Sequence, residues 1–370
     1  MIRLALIGLG KMGISHLAIV NSHPKVKVVG VCDSNSYVAG TLSKYTGIKV
    51  FPDYRDLLAD KNLDAIVLAT PPRSHGELVR AGLDRRLHVF CEKPFCLDAN
   101  ESAELAALAK ERGLVNQVGY HYRFVGAFKE ARRLLSAGVL GRVHHVHAEA
   151  YGPVVLRPKG ATWRVKRTEG GGCLHDYACH AIDLMTYLVG APQRVNGTML
   201  NRIFSQDAED EVYTNLYFED GTTGQLSSNW SDESCRKMTT KVTVWGTNGR
   251  LVVDRQEIQL FLRDTLAAEP GLHKGWNLLY TTALTDEVWY YLRGEEYSAQ
   301  IDHFVKCIET NNPETDSSFA SAAATDRIVS LMLEDNGQRA SNPMKPRLRE
   351  AHVSRHENRT IFRRVRALLS

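Results

Sequence analysis

Residues 1–13, MIRLALIGLGKMG, contain the pattern that decides the fold of the N-terminal part of the chain. The apolar run at residues 3–7 is typical of a buried β-strand, and it ends at a glycine-rich turn. That turn fits G-x-G-x-x-G, whose glycines allow a tight bend, close approach of a pyrophosphate and close packing of the next helix. Residues 14–20 are predicted to form this helix, with its N-terminus towards the phosphates. The turn residues expected to bind a dinucleotide are Gly8, Gly10, Lys11, Met12 and Gly13.

A carboxylate stands where such a binding unit needs one. Residues 25–32 are predicted to form the second strand, and Asp33 follows it, 20 residues after Gly13. At this spacing the carboxylate accepts hydrogen bonds from the adenosine ribose and repels a 2′-phosphate. Ser34 and Asn35 come next, so no Lys or Arg follows immediately to bind that phosphate. The sequence therefore favours NAD over NADP.

Strand and helix patterns alternate through the first third of the chain. The further predicted strands and helices are residues 53–59 (helix), 64–69 (strand), 74–83 (helix), 87–91 (strand), 98–112 (helix) and 114–118 (strand). This alternation predicts an α/β fold with a doubly wound parallel sheet, a Rossmann domain, whose ligand lies at the carboxyl ends of the strands. We assign residues 1–122 to this NAD-binding domain.

Composition and length are those of an ordinary globular protein. The 370 residues are 44% hydrophobic and 24% charged, and a chain of this length is expected to form two domains. The N-terminus begins on a strand pattern without the features of a signal peptide, and no apolar run approaches the roughly 18 residues of a membrane span. The seven cysteines are scattered, which suits a reducing compartment. We therefore expect a cytoplasmic protein that has no membrane partner.

The positive charge of the chain is concentrated at its C-terminus. The net charge is +4, yet residues 341–370 alone contain eight Lys or Arg and two Glu. Such a basic segment could contact nucleic acid, anionic lipid or an acidic face of a partner subunit. A solvated tail or a short docking helix is the simpler interpretation, so we treat residues 341–370 as a basic tail and do not expect nucleic acid as a partner.

A second informative stretch is residues 169–188, EGGGCLHDYACHAIDLMTYL. Three glycines precede a segment that is predicted to be helical. Asp176 and His180 are four residues apart, and such positions share one face of a helix. A carboxylate beside an imidazole can hold that ring in one tautomer for proton transfer. By itself the pair would more often be an ordinary surface pair, and His180 a core histidine.

The C-terminal half changes to the two-residue period of β-strands. Residues 143–149 and 212–219 alternate in polarity, and Asp220-Gly221 and Asn248-Gly249 are hairpin signals. These patterns predict an α+β domain at residues 123–340 with a large, mostly antiparallel, open-faced sheet. The predicted helix of Asp176 and His180 would cover one face of that sheet.

Two groups of potential metal ligands lack the spacing of a metal site. The first consists of three histidines in one predicted strand, and the second of cysteines near the glycine-rich stretch. Their members are His144, His145 and His147, and Cys91, Cys96, Cys173 and Cys179. Neither group has the ligand spacing of a zinc site, so we expect no metal.

Together the motifs resemble those of the Gfo/Idh/MocA family, nicotinamide-dependent oxidoreductases that act mostly on sugars, nucleotide sugars and cyclitols. The resemblance covers about residues 1–335 and includes Ala69-Thr70-Pro71-Pro72-x-x-His75. The glycine turn alone is unspecific. The specific combination is Glu92-Lys93-Pro94 after the fifth strand and Asp176-x-x-x-His180 some 80 residues later.

The resemblance implies a role for each motif residue. Lys93 would lie beside the nicotinamide and the reacting hydroxyl, where its ammonium stabilises developing alkoxide charge. The bond between Lys93 and Pro94 is expected to be cis. Asp176 would hold substrate hydroxyls, and His180 would be the acid/base. The other cofactor contacts that the resemblance implies are Glu92, Thr70, Pro71 and His75.

Three further regions are candidates for substrate contact. The family resemblance places Arg123 near substrate or cofactor, with a packed hinge as the alternative. In residues 151–167, Trp163 could stack on a sugar and Arg164 could bind a carboxylate or phosphate, although a surface loop with an anchoring Trp has the same pattern. The aromatic residues 269–297 could form either a lid over a nucleotide base or an oligomer contact.

The sequence thus predicts an NAD-dependent oxidoreductase that oxidises a secondary ring hydroxyl of a sugar or nucleotide sugar, with Lys93 and His180 moving the proton and stabilising charge. The cationic loop at residues 151–167 favours a phosphate- or carboxylate-bearing substrate over free inositol. One alternative is a hydrolase or lyase that oxidises its substrate transiently with tightly held NAD. A ligand-sensing regulator is disfavoured because Lys93, Asp176 and His180 are all present. The resemblance also implies a homodimer or homotetramer formed through the C-terminal sheet.

Overall fold

The structure is a computed structural model of the 370-residue chain that describes residues 1–156 and 163–341. The side chain of Trp163, the residue Arg157 and the predicted basic tail from residue 342 onwards lie outside this description. No helix among the described residues is long and apolar enough to cross a bilayer. All seven cysteines are free.

The N-terminal part is a six-stranded parallel sheet with helices on both faces. Its elements are β1 (Ile2–Ile7), α1 (Lys11–Ser22), β2 (Val26–Cys32), α2 (Ser36–Thr46), β3 (Val50–Phe51), α3 (Tyr54–Leu58), β4 (Ala65–Leu68), α4 (His75–Asp84), β5 (His88–Cys91), α5 (Ala99–Glu111) and β6 (Asn116–Val118). The strand order is β3-β2-β1-β4-β5-β6. Strand order reverses between β1 and β4, which opens a crevice for ligand at their carboxyl ends. The predicted Rossmann fold is confirmed.

Two helices from the end of the chain complete this domain. They are α9 (Glu295–Glu309) and α10 (Phe319–Ser341). Ile301 and Phe304 of α9 are fully buried in the same core as Leu6 and Phe90 of the sheet. Phe319, at the start of α10, stacks on Phe95 beside the end of β5. The core of the N-terminal domain therefore includes residues that the predicted division at residue 122 assigns to the second domain.

The second sheet has eight strands and is mostly antiparallel, as predicted. The remaining elements are α6 (Gly126–Ser136), β7 (Val143–Tyr151), α7 (Cys179–Val189), β8 (Arg194–Asn201), β9 (Glu211–Tyr217), β10 (Thr223–Asn229), β11 (Thr239–Gly246), β12 (Gly249–Val253), β13 (Glu257–Leu262), β14 (Gly275–Tyr280) and α8 (Thr281–Leu284). Their order is β14-β13-β12-β11-β7-β10-β9-β8, and β7 and β10 form a parallel pair. Helix α7 packs on one face of this sheet, against β7 and β11.

Within the described residues, the other face of the eight-stranded sheet is partly exposed. Along β7, the buried residues Val146 and Ala148 alternate with the half-exposed His145 and His147, as a half-buried strand requires. At the β14 edge, three large apolar side chains on alternate positions are about half exposed. These are Trp276, Leu278 and Tyr280. The three histidines of β7 lie in a β-strand, as the two-residue period of residues 143–149 predicts.

Candidate active site

The turn after β1 is shaped for a ligand phosphate. Gly8 has a φ of +98°, and a Cβ there would lie 2.7 Å from the carbonyl group of Ala69. A Cβ on Gly13 would lie 1.8 Å from the carbonyl oxygen of Gly8, so that glycine lets α1 pack against the turn. Gly10, in contrast, has no atom within 4 Å of its Cβ position, and no side chain caps α1 there. The start of α1 therefore borders open space beside Gly10, and a helix N-terminus placed in this way suits a pyrophosphate.

Asp33 at the end of β2 lines the same space. Its Oδ1 accepts the N–H of Asn35 at 2.7 Å, and its Oδ2 accepts the N–H of Leu9 in the glycine turn. A carboxylate has about four lone-pair positions, so both oxygens can still accept from ribose hydroxyls. These two bonds fix the carboxylate against the turn, in the position from which the sequence predicts that it binds an adenosine ribose and repels a 2′-phosphate.

One cavity of about 990 Å³ joins these features to the end of β5. Its volume is at the upper end of the range of about 300–1,000 Å³ that is usual for small-molecule and cofactor sites. The predicted site residues that line it are Gly8, Gly10, Lys11, Met12, Asp33, Thr70, Pro71, Glu92, Lys93 and Arg164. An extended dinucleotide fits a cavity with a glycine cradle in the middle and a carboxylate towards each end. We refer to this cavity as the cofactor cleft.

His75 lies behind the cofactor cleft instead of lining it as predicted. Its ring is completely buried, with Nδ1 2.8 Å from the carbonyl oxygen of Pro94 and Nε2 3.0 Å from that of Thr70. Burial lowers the pKa of His75 and outweighs these two hydrogen bonds. The residue therefore joins the loop after β4 to the loop after β5. The Lys93–Pro94 bond in that second loop is cis, as predicted.

Glu92 has a partner that sequence reasoning missed. Its Oε1 lies 2.6 Å from Nε2 of His16, a fully buried residue of α1. In the sequence His16 is an unremarked helix residue, 76 positions before Glu92. The fold brings the two together because α1 packs beside the carboxyl end of β5. His16 lies three residues after Gly13, on the face of the helix that must pack against the sheet. This position is the signal in the sequence that could have indicated a buried histidine.

Lys93 connects the cofactor cleft to the second domain. Its Nζ donates to Oδ1 and to the main-chain oxygen of Asp176, both at 3.0 Å. Nε of Arg164 lies 3.2 Å from the other carboxylate oxygen. Burial raises the pKa of Asp176, but Lys93 and Arg164 outweigh it, so the pKa lies below its ordinary value. Burial also disfavours the charged form of Lys93 and lowers its pKa. The charge of Asp176 more than reverses this effect, so the pKa of Lys93 lies above its ordinary value and the side chain stays an ammonium.

The predicted helical pairing of Asp176 with His180 is wrong. Leu174–Ala178 form one turn of π-helix, and α7 begins only at Cys179. A π-turn closes i to i+5 hydrogen bonds, so it changes the angle between residues that an uninterrupted α-helix would align. No hydrogen bond joins Asp176 to His180, both of which are described residues. Asp176 is instead held by Lys93 and Arg164.

His180 is buried among aromatic rings. It meets the rings of Tyr120, His121 and Tyr122 edge-on, at centroid distances of 5.9, 5.2 and 5.2 Å. Its Nδ1 is buried and has no hydrogen-bond partner in the described structure. Burial, followed by the charge of Lys93, lowers the pKa of His180 well below its ordinary value. The imidazole is therefore neutral near pH 7, the state from which it can accept a proton.

Arg123 is a packed hinge residue and does not reach the cofactor cleft. Its Nε and Nη2 donate to the two carboxylate oxygens of Asp183 at 2.8 and 2.6 Å, and Nη1 donates to the main-chain oxygen of Asp316. Both side chains are at most 4% exposed. Because Arg123 is buried in this bidentate pair and does not line the cofactor cleft, the predicted substrate contact is replaced by the alternative stated with it.

The aromatic residues 269–297 lie in several different surroundings, and both predicted interpretations of the segment stay predictions. Trp276 is on the edge strand β14, whereas Trp289 packs against His23, the residue after α1, with ring centroids 4.4 Å apart. Tyr297 stacks on His121 at 4.5 Å, and the guanidinium of Arg293 lies over Tyr297. Arg293 also lines the cofactor cleft and has a φ of +70°. Part of the segment thus adjoins the cleft, and Arg293 is a lining residue that the sequence did not indicate.

Comparison with known proteins agrees with this architecture. The model of an oxidoreductase family with an NAD-binding Rossmann fold matches residues 2–120, and the GFO/IDH/MocA C-terminal domain matches residues 128–252. The scyllo-inositol 2-dehydrogenase (NAD(+)) of Bacillus subtilis (strain 168) is 28% identical over 259 residues, 68% of this chain and 73% of that protein. The 2,7-anhydro-N-acetylneuraminate hydratase of Escherichia coli (strain K12) is 25% identical over 274 residues, 71% and 70% of the two chains.

Solved structures show the same fold. Levoglucosan dehydrogenase in complex with NADH and levoglucosan superposes with a TM-score of 0.81. The superposition covers 91% of this chain and 97% of that one, at 22% sequence identity. Both sheets of the present structure therefore have counterparts in a protein of known architecture.

Proposed function

The chain belongs to the Gfo/Idh/MocA family of NAD-dependent oxidoreductases, and on that basis we propose that it oxidises a secondary ring hydroxyl of a sugar or nucleotide sugar. One observation carries this proposal. Lys93, at the carboxyl end of β5 in the cofactor cleft, forms an ion pair with Asp176, which lies in the turn just before α7 of the second domain. The ammonium of a lysine that lines the cofactor cleft thus contacts a carboxylate of the second domain.

Lys93 stabilises the charge that develops on the reacting oxygen. Its ammonium is 13% exposed and directed by two oxygens of Asp176, so its position is fixed before substrate arrives. A fixed cation in a site with little water stabilises an alkoxide without reorganising, which is where most electrostatic rate acceleration arises. Bound NAD supplies the acceptor for the hydride that leaves the substrate carbon.

His180 receives the hydroxyl proton in this proposal. Its neutral imidazole has an unpaired Nδ1, and it follows Asp176 by four residues across the start of α7. Asp176 remains ionised and orients substrate hydroxyls together with Arg164. His180 is 3% exposed, and neither it nor Asp176 lines the cofactor cleft. In this proposal the Arg164 side chain, which is 48% exposed, moves aside for the substrate while Lys93 keeps its bonds to Asp176.

The substrate class is argued from charge around the entrance. Arg164 and Arg293 line the cofactor cleft beside Lys93, and Lys166 and Arg167 are exposed next to Arg164. Cations so placed favour a substrate that carries a phosphate or carboxylate, as a nucleotide sugar or sugar acid does. The predicted stacking on Trp163 remains part of this proposal.

A second candidate function is supported by a specific relative. The E. coli protein named 2,7-anhydro-N-acetylneuraminate hydratase has a similar sequence over 71% of this chain. A hydrolase or lyase of this fold oxidises its substrate transiently and returns the hydride before release. In that case NAD stays bound through purification and no net NADH forms, whereas the dehydrogenase releases NADH at each turnover.

We also propose a homodimer or homotetramer formed through the partly exposed face of the eight-stranded sheet. The half-exposed Trp276, Leu278 and Tyr280 on β14 support this proposal, because rows of large apolar side chains usually mark contacts. A cytoplasmic location stays a prediction from the sequence.

A substrate screen tests the main proposal. The full chain is incubated with NAD and with nucleotide sugars, sugar acids, free sugars and cyclitols, and NADH is followed by its absorbance. We expect NADH formation with an anionic or nucleotide-linked sugar, and with NADP much less. Substrate conversion without NADH favours the hydratase-like alternative, and NADH formation only with a free cyclitol contradicts the proposed substrate class.

A further inference from the structure

His16 and Glu92 form a buried pair at one end of the cofactor cleft. His16 is fully buried in α1, and its Nε2 lies 2.6 Å from Oε1 of Glu92. Glu92 is only 8% exposed, yet it lines the cofactor cleft. The pair therefore connects the inside of the domain to the wall that a ligand touches.

The Glu92 carboxylate is held from several directions. Its Oε2 accepts the N–H of Lys93 at 3.2 Å. On another side, a Cβ at Gly119 would lie 3.0 Å from Oε1, so the absence of a side chain there leaves space for the carboxylate. Removing a carboxylate from water costs free energy unless hydrogen bonds compensate for it. His16, the N–H of Lys93 and the main chain at Gly119 together fix the orientation of the Glu92 carboxylate, which indicates that this orientation is required.

His16 also keeps Glu92 ionised. Burial raises the pKa of Glu92, but the hydrogen bond from His16 and the charge of Lys93 outweigh it, so the pKa lies below its ordinary value. Further titratable groups within the electrostatic reach of this carboxylate are His75, Cys91, His121 and Tyr297. Of these groups, His16 contributes the largest opposing effect.

The strand order places this pair at the nicotinamide end of the site. Asp33 follows β2 and Glu92 follows β5, on opposite sides of the glycine turn after β1. A dinucleotide crosses such a sheet at the switch point, with its adenosine ribose at the acidic residue after the second strand. Its other half then extends towards Glu92 and Lys93.

We propose that His16 is a positioning residue for the nicotinamide half of NAD: it fixes the Glu92 carboxylate, which accepts hydrogen bonds from the nicotinamide riboside. This inference rests on the NAD site of the proposed function and is independent of the sugar substrate. His16 touches neither cofactor nor substrate, so its effect is transmitted through Glu92 alone.

The test compares two ligands of cofactor-free, full-length protein, NADH and ADP-ribose, which lacks the nicotinamide. In His16→Leu, we expect NADH affinity to fall by about tenfold or more, the size of one lost charge-assisted hydrogen bond. ADP-ribose affinity should change by less than about twofold, because the glycine turn and Asp33 are untouched. His16→Gln, which still offers an N–H donor, should recover most of the NADH affinity.

A pH series separates this role from a structural one. Without His16 the pKa of Glu92 rises, so NADH binding to His16→Leu should weaken as the pH falls from about 8 to about 6, whereas wild-type binding stays nearly constant. Equal losses for NADH and ADP-ribose, or unchanged NADH binding, would overturn the proposal. If His16→Leu does not fold, Glu92→Gln provides the test: it should lose NADH affinity about tenfold and keep ADP-ribose affinity, and unchanged NADH affinity contradicts the inference.

Discussion

The cofactor cleft and the site before α7 show two different ways of building a functional surface. In the cleft, main-chain geometry makes the site: glycines leave space at Gly8, Gly10 and Gly13, and the cavity is open. Around Asp176 and His180 the site consists of side chains that are closed in by ion pairs and aromatic rings. Under the proposed function, this difference corresponds to a cofactor site that exists before binding and a substrate site that opens on binding. Lys93 is the residue through which the two communicate.

The largest expected effect is that of Lys93→Met. Removing the ammonium should lower the turnover number by at least about a thousandfold, since it removes charge stabilisation at the reacting oxygen. NADH binding, which depends on the preformed cleft, should change by only a few-fold. The exposed Lys27 of the same domain provides the control, Lys27→Met. Equal losses of NADH affinity and turnover would contradict the division of labour between the two regions.

The next effect concerns stability, in the closed region. Arg123→Met leaves the buried Asp183 carboxylate without its bidentate partner and should cost about 3–5 kcal/mol of unfolding free energy. The double variant Arg123→Met/Asp183→Leu, which leaves no unpaired charge, should recover most of that loss. Urea unfolding measures both variants. If Arg123→Met is instead stable and has a raised KM for substrate, this expectation is contradicted and the substrate contact predicted from the sequence is supported.

A smaller effect is expected in the preformed cleft. Asp33→Asn keeps an acceptor for the N–H of Leu9 but removes the negative charge beside the adenosine ribose. NAD affinity should fall by about tenfold, and the preference for NAD over NADP should narrow, because the 2′-phosphate is no longer repelled. Asp84→Asn, at an exposed position of the same domain outside the cleft wall, is the control. Cofactor titrations of both variants measure the change, and an unaltered preference for NAD in Asp33→Asn would refute this assignment.

The smallest effect is a pH dependence of stability in the closed region. Burial lowers the pKa of His121 from its ordinary 6.5 to about 3. Between these values the unfolded chain binds a proton that the folded chain does not, so stability falls as the pH drops below about 6.5, by roughly 1 kcal/mol per pH unit for one such histidine. His121→Asn should make this slope shallower, and the exposed His144→Asn should not. Unfolding measured at several pH values provides the slopes, and an unchanged slope in His121→Asn contradicts the expectation.

The two regions also differed in how far the sequence could predict them. The glycine turn and Asp33 could be identified because their function follows from backbone geometry and short spacing. The π-turn at Leu174–Ala178 could not, since nothing in the spacing of Asp176 and His180 distinguishes it from an α-helical turn.

Long-range partners account for the other differences. Asp183 is 60 residues from Arg123, and Glu92 is 76 residues from His16, so the roles of both His16 and Arg123 depended on contacts that only the fold creates. The packing of α9 into the core of the N-terminal domain is another contact between residues that are far apart in the sequence. An amphipathic helix shows in the sequence that it must be buried, but not against which sheet.

The central claim, that Lys93 and His180 act on one reacting hydroxyl, is tested most directly by a double-mutant cycle. Single-turnover reduction of NAD is measured for wild type, Lys93→Met, His180→Asn and the double variant, on the substrate that the screen identifies. Groups that act as a unit are strongly non-additive, so the double variant should be at most about a few-fold slower than the slower single variant. A rate loss equal to the product of the two single losses would mean that the residues act independently, and it would contradict the account.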